Sequence, residues 1–238
     1  MKERVALVML SDPNLYPPTL NGAKLLIEKG YEVDLIGLEY KKQPSINIDN
    51  RIKLKYIGYL KGGVYFRIIY IKLCLLMIVQ ALRGKYAFYI CYNHKAMLPV
   101  YLGSLISGKK CIYHNHDIST RPQKYGFNYF LKWFEKWSIN KMDLVVVPQK
   151  ERADFFLKEI GLNNAPLIIY NCPLRNWSNN KIHPDIIKYH KSHKIIIYQG
   201  DLNWKRGLKS IILSMEYWDE DWMFCLVGKN DLCLSHPI

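Results

Sequence analysis

Residues 4–10 read RVALVML, a continuous apolar run with the length of a buried strand. A helix is expected over residues 19–29, with Pro17 and Pro18 ahead of its start and Gly30 at its stop. Residues 33–38 make a second strand. Outward from this opening the same rhythm continues. Residues 52–57 (IKLKYI) alternate apolar and basic residues, as a strand with one wet face does. Further strands are expected at 86–92, 110–114, 144–147 and 167–170, with helices near 66–82, 96–106, 127–140 and 151–160. Strand–helix alternation on this rhythm predicts an α/β fold with a doubly wound, mainly parallel sheet.

The text changes at residues 175–193. RNWSNNKIHPDIIKYHKSH is polar and lacks an apolar period, so residues 176–193 read as a linker between residues 1–175 and residues 194–238. The last segment offers a strand (194–199), a loop (200–206), a helix (207–217) and a strand (223–227). One β-α-β unit and a tail are too few residues for a parallel sheet with both faces covered, so this second domain is expected to be incomplete.

Half of the 238 residues are hydrophobic and 23% are charged, which excludes a disordered chain. Six scattered cysteines make neither a disulfide framework nor a zinc pattern and suit a reducing cytosol. Met1 leads directly into Lys2, Glu3 and a strand-like run, so no signal peptide is expected. The charge is lopsided. Residues 1–140 hold 21 basic and 9 acidic side chains, residues 141–238 hold 13 and 11. That excess points to an anionic partner, a phospholipid surface, a phosphorylated substrate or nucleic acid, unless it serves solubility alone. No helix-turn-helix, zinc or aromatic RNA-binding signature accompanies it, so nucleic acid is not expected. Residues 64–82 approach membrane-spanning length, but Arg67, Lys72 and Gln80 interrupt them. A helix that is buried, or that lies against a membrane surface, is expected rather than a span.

Three segments together resemble glycosyltransferase family 4, whose members have two facing Rossmann-like domains of the GT-B type. The first is CIYHNHDIS (residues 111–119), a strand ending in a His-Asp pair. The second is FEKWSINKMDLVVVPQKERADFF (residues 134–156) leading to IIYNCP (residues 168–173). The third is IIIYQGDLNWKRGL (residues 195–208), similar to the first strand and glycine-basic loop of the family's donor-binding domain. The resemblance implies a Rossmann-like acceptor-side domain followed by the first β-α-β unit of a Rossmann-like donor domain.

The chemistry of these residues stands without the family. Loops leaving the carboxyl ends of parallel strands are where open α/β sheets bind ligands. His114, His116 and Asp117 sit at such an end, where a neutral imidazole can hydrogen-bond a sugar hydroxyl or a departing phosphate and a carboxylate can orient the ring. Solvated loop histidines would look the same in sequence. The resemblance implies that His116, with His114 behind it, contacts the donor sugar. HNHD lacks the further Asp and His of a binuclear metal pattern, because Ile118 and Ser119 stand there; no metal and no cofactor are expected.

Gly200, Lys205, Arg206 and Gly207 resemble the diphosphate-binding loop, glycines giving close backbone approach and the basic pair neutralising phosphate. A plain strand–loop–helix turn fits the same residues. Asp201 stands where the family carries a basic residue, and a carboxylate beside phosphate costs binding unless it turns away. Ser11, Asp12 and Asn14, after the first strand, are candidates for the acceptor cleft, though Asp12-Pro13-Asn14 is also a serviceable turn. The family's Glu-x7-Glu sugar- and ribose-binding signature is absent from residues 194–238. Glu151 and Glu159 have that spacing but belong to the first domain, so the role is not transferred to them.

The resemblance thus implies a hexosyltransferase, retaining in stereochemistry, that moves a sugar from a nucleotide-diphosphate sugar to a lipid-linked or polysaccharide acceptor on the inner face of the cytoplasmic membrane. The 238 residues alone are expected to be weakly active or inactive, with a second chain as one way to complete the donor domain. A non-catalytic, membrane- or partner-binding half of a split transferase is the alternative.

Overall fold

The computed structural model describes residues 2–13, 16–40, 49–59, 63–117, 125–172, 192–200 and 202–228. The chain divides into two compact units, Met1–Asn176 and Trp177–Ile238.

In the larger unit seven strands form one sheet: β1 (Arg4–Met9), β2 (Glu32–Glu39), β3 (Ile52–Tyr59), β4 (Phe88–Tyr92), β5 (Lys110–His114), β6 (Leu144–Val147) and β7 (Leu167–Ile168). Their order is β3-β2-β1-β4-β5-β6-β7 and every pairing is parallel. Val5 lies beside Val33 on one side and Phe88 on the other. The crossovers are helices α1 (Pro17–Glu28), α2 (Val64–Leu82), α3 (Asn93–Ser107), α4 (Phe127–Ser138) and α5 (Lys150–Phe155), the last continuing into a wider turn at Phe156–Ile160.

β1 is buried along nearly its whole length, which explains why its sequence is continuous rather than alternating. Its side chains feed two cores. Ala6 and Val8 pack with Leu73 and Met77 of α2, Met97 of α3 and Leu131 of α4. Val5 and Leu7 pack with Ala23 and Ile27 of α1 on the opposite face. Helices on both faces make this a doubly wound α/β, Rossmann-like sheet. Strand order reverses between β1 and β4, and the carboxyl ends of these two strands are the topological switch point where such sheets bind ligands.

Several expected boundaries shift for visible reasons. α3 begins at Asn93 rather than near residue 96, directly after β4, and Asn93 takes a left-handed φ of 62° at this junction. β7 stops at Ile168, where its partner β6 ends at Val147. In β3 only part of the basic face is wet. The Lys55 ammonium turns to Asp34, a buried β2 carboxylate that also binds Lys85 at 2.7 Å and accepts a hydrogen bond from the Tyr86 hydroxyl at 2.8 Å. Burial pushes the Asp34 carboxyl up, and these three partners outweigh it, holding it below the ordinary carboxylate value.

The smaller unit holds β8 (Lys194–Gln199) and β9 (Trp222–Val227), parallel and in register from Lys194–Trp222 to Gln199–Val227, with α6 (Leu208–Ser214) between them. Ile197 and Val227 remain exposed on this two-stranded sheet.

Candidate functional site at the carboxyl ends of β1, β4 and β5

β5 ends at His114, and the chain then passes through Asn115, His116 and Asp117 at the carboxyl ends of β4 and β5. Asn93 holds this turn in place from the end of β4. Its side-chain carbonyl accepts the backbone N–H of His116 at 2.8 Å and that of Asp117 at 3.2 Å. Asparagine tolerates the left-handed backbone that aims its side chain this way. From α5, the Arg152 guanidinium donates to the His116 carbonyl.

The His116 ring lies parallel to the Tyr92 ring, 5.1 Å away with 7° between planes, and its centroid is 4.3 Å from that of His114. His116 is 4% exposed. Burial, then the nearby Arg152 charge, pushes its imidazole down to about 4; burial and His116 push His114 down to about 3. Both rings are therefore neutral at pH 7. Neither ring nitrogen of His116 has a hydrogen-bond partner among the described residues. A buried polar group left so costs free energy until a ligand or water satisfies it. Asp117 stays exposed and accepts the Tyr16 hydroxyl at 2.5 Å.

Behind this cluster lies a second polar layer. The Tyr113 hydroxyl donates to the Glu135 carboxylate of α4 and accepts the Asn115 amide at 3.0 Å. Burial raises Glu135 to about 7.

The candidates after β1 divide. The Ser11 carbonyl accepts the Leu38 N–H at 3.0 Å. Asp12 is buried, accepting the Tyr40 N–H on one oxygen and the Tyr56 hydroxyl on the other, each at 3.0 Å. Its carboxylate thus ties this loop to β2 and β3. Asn14 lies outside the described residues.

In the smaller unit, Gly200 ends β8 and donates its N–H to the Val227 carbonyl at 2.9 Å. Gly228 lies so close that an added Cβ would fall 1.7 Å from the Gly200 oxygen. A single turn at Trp204–Arg206 leads to Gly207, whose φ of 77° places it just before α6. Arg206 is exposed. Asp201 and the Lys205 side chain lie outside the described residues. The structure therefore gathers His114, His116 and Asp117 into one cluster, and the glycine-basic loop forms a group of its own.

Sequence reasoning missed Tyr92, Asn93, Arg152 and Glu135. Asn93 alone carried a local signal, an asparagine at a strand-to-helix turn. Among the described residues no three His, Cys, Asp or Glu side chains are grouped as metal ligands.

The chain resembles solved GT-B structures throughout. A sucrose-phosphate synthase from Thermosynechococcus elongatus superposes with a TM-score of 0.70 at 12% identity, covering 97% of this chain and 63% of that one. HepE of Anabaena, solved with UDP and glucose, gives 0.65 at 15%, covering 96% and 61%. The catalytic domain of starch synthase IV from Arabidopsis thaliana, bound to ADP and acarbose, gives 0.65 at 9%, covering 95% and 68%. This chain thus spans a little over three fifths of the length of the first two. No curated protein matches it by sequence. The sequence profile of Glycosyltransferase Family 4 matches residues 19–172, which include β2 to β7 and the whole His114–Asp117 turn. With that match extending over more than half of its residues, the chain belongs to glycosyltransferase family 4.

Proposed function

We propose that this chain acts, only weakly on its own, in sugar transfer from a nucleotide-diphosphate sugar to a lipid-linked or polysaccharide acceptor, on the inner face of the cytoplasmic membrane. The observation that carries this reading is His116, a buried neutral imidazole with both nitrogens unpartnered among the described residues, at the switch point of a parallel sheet. Such a ring can give one hydrogen bond and accept another, which suits sugar hydroxyls. Tyr92 and Asn93 fix its plane and position, and His114 and Asp117 flank it. In the transfer the bond between the sugar's anomeric carbon and phosphate breaks, the acceptor oxygen takes that carbon, and its proton leaves with the diphosphate; the family resemblance argues for retention of configuration. Arg206 and Lys205, beside Gly200 and Gly207, are the proposed phosphate contacts, neutralising the leaving group without a metal. The matched structures solved with UDP and glucose and with ADP support this class of ligand.

The test is thermal unfolding of the chain with UDP-, GDP- and ADP-sugars at millimolar concentration, followed by transfer of labelled sugar to a lipid extract. One donor is expected to raise Tm. His116→Ala is expected to lower transfer at least about a hundredfold, on the scale of losing a positioned transition-state contact. Failure of every nucleotide sugar to shift Tm would count against a donor site here.

A further inference from the structure

α2 is a helix with two apolar sides. Ile69, Leu73 and Met77 enter the core, while Val64, Ile68, Ile71, Leu75, Val79 and Leu82 follow each other at helical spacing and are 41–74% exposed. α4 exposes Phe130, Trp133 and Trp137. Their rings continue a stacked ladder from Phe127, with successive centroids 6.2, 6.0 and 6.4 Å apart. Phe127 itself packs edge-on against Tyr70 of α2 at 4.9 Å, and α3 packs against both helices, so α2 and α4 flank it on the same side of the sheet. Soluble monomers seldom expose this many large apolar side chains on neighbouring helices without a use for them.

The charge around this surface has one sign. From Asn50 to His116 the chain contains no Asp or Glu. The one acidic residue on α4, Glu135, is buried against Tyr113. Arg67, Lys136 and Lys141 are exposed, and the Lys141 ammonium sits 3.1 Å from the centre of the Trp137 ring. By contrast α1 carries Glu28, and α5 carries Glu151 and Asp154. Tryptophan, aliphatic side chains and basic residues on one face, without acids, match the boundary between acyl chains and anionic headgroups. α2 is long and apolar enough to cross a membrane. Its inner side is committed to the core, however, and the Lys72 ammonium donates to the Ile57 carbonyl of β3 at 3.2 Å, so it is built to lie on a bilayer.

We propose that the α2–α4 face docks on an anionic phospholipid bilayer, with Trp133 and Trp137 at headgroup depth, the outer α2 stripe against the acyl boundary, and Arg67, Lys136 and Lys141 on lipid phosphates. This deepens the membrane-face reading above and rests on it.

The experiment is flotation of the full chain with phosphatidylcholine vesicles, with and without phosphatidylglycerol, at low and high salt. Binding is expected only with phosphatidylglycerol and is weakened by salt. W133S/W137S and K136E/K141E are each expected to lower partitioning at least about tenfold. K136E/K141E should keep the parent's Tm because both lysines are exposed, whereas W133S/W137S, which loses Trp137 packing on Tyr101 and Phe134, is compared with the parent at a temperature where both are folded. H116A should float like the parent. Three outcomes overturn the proposal: no flotation of the parent, flotation of both double variants like the parent, or a lipid-independent dimer that the double variants dissociate. A nucleotide-sugar shift of Tm without flotation sinks the docking face alone. Flotation without any such shift sinks the transferase reading and leaves the face standing.

Discussion

Buried titratable groups around the candidate site oppose one another in their pH dependence. Burial pushes His94 and His116 down to about 4 and His114 down to about 3. The unfolded chain binds protons on all three below about pH 6.5, and the folded chain does not, so their contribution to stability is present above that pH and is lost as pH falls toward 4. Glu135 has the reverse sign. Its folded value of about 7 lies above the unfolded one, so the folded chain holds an extra proton, and that contribution is lost as pH rises through 7. Between about pH 4.5 and 6.5 three groups oppose one, and Tm is expected to rise with pH. Each unbalanced proton is worth at most about 1.4 kcal/mol per pH unit. Glu135→Gln removes the opposing member while keeping an acceptor for the Tyr113 hydroxyl, so its Tm should fall more steeply on acidification than the parent's. A parent Tm that is flat or rises between pH 6.5 and 5 contradicts the burial of these imidazoles. Little of this was legible beforehand. His114 and His116 could be placed at a strand end because the strand was obvious, whereas the Tyr113–Glu135 contact joins residues 22 apart with no periodic pattern linking them.

At the scale of elements, close packing rather than charge shapes the candidate site. Gly37 in β2 lies under the loop after β1, where an added Cβ would come 2.4 Å from the Pro13 ring and 2.8 Å from the Ser11 carbonyl. Gly37→Ala should therefore displace residues 11–13 and cost about 1–3 kcal/mol, measured by denaturant unfolding. Gly22 in α1 is a subtler case. Its Cβ would come 2.8 Å from the Tyr92 hydroxyl, and the Tyr92 ring lies under His116. Gly22→Ala is expected to lower transfer by about tenfold, as small misplacements of a positioning group do, with a smaller effect on stability than Gly37→Ala. Equal activity in Gly22→Ala and parent would show that the Tyr92 ring does not set the histidine's position. The strands and helices themselves were readable because buried parallel strands are uniformly apolar and the helices between them are periodic. Asp12 was harder. A polar residue in a ligand-side loop reads as a cleft residue, and only the fold brings Tyr40 and Tyr56 round to occupy its carboxylate.

Across the whole molecule, burial is distributed unevenly. In Met1–Asn176 the two cores on either side of the seven-stranded sheet contain nearly all of the fully buried side chains among the described residues, whereas the smaller unit contributes Leu202 and Leu208. Unfolding enthalpy follows the amount of packed structure, about 0.7 kcal/mol per residue near 60 °C. A chain packed to the same density throughout would absorb about 165 kcal/mol, and one whose cooperative unit is the larger body alone about 120 kcal/mol. Two strands with exposed residues on their faces make a marginal body in water, so calorimetry of the chain should show a main transition nearer the lower figure. A nucleotide sugar held through Arg206 and Lys205 would stabilise the smaller unit by mass action and move the enthalpy toward the higher figure. A ligand-induced gain of enthalpy well beyond the heat-capacity increment of the shifted Tm would therefore show that the glycine-basic loop takes part in binding. A rise in Tm with no more enthalpy than the heat capacity of the larger body supplies, about 2–3 kcal/mol per degree, would assign the nucleotide sugar to the His116 site alone.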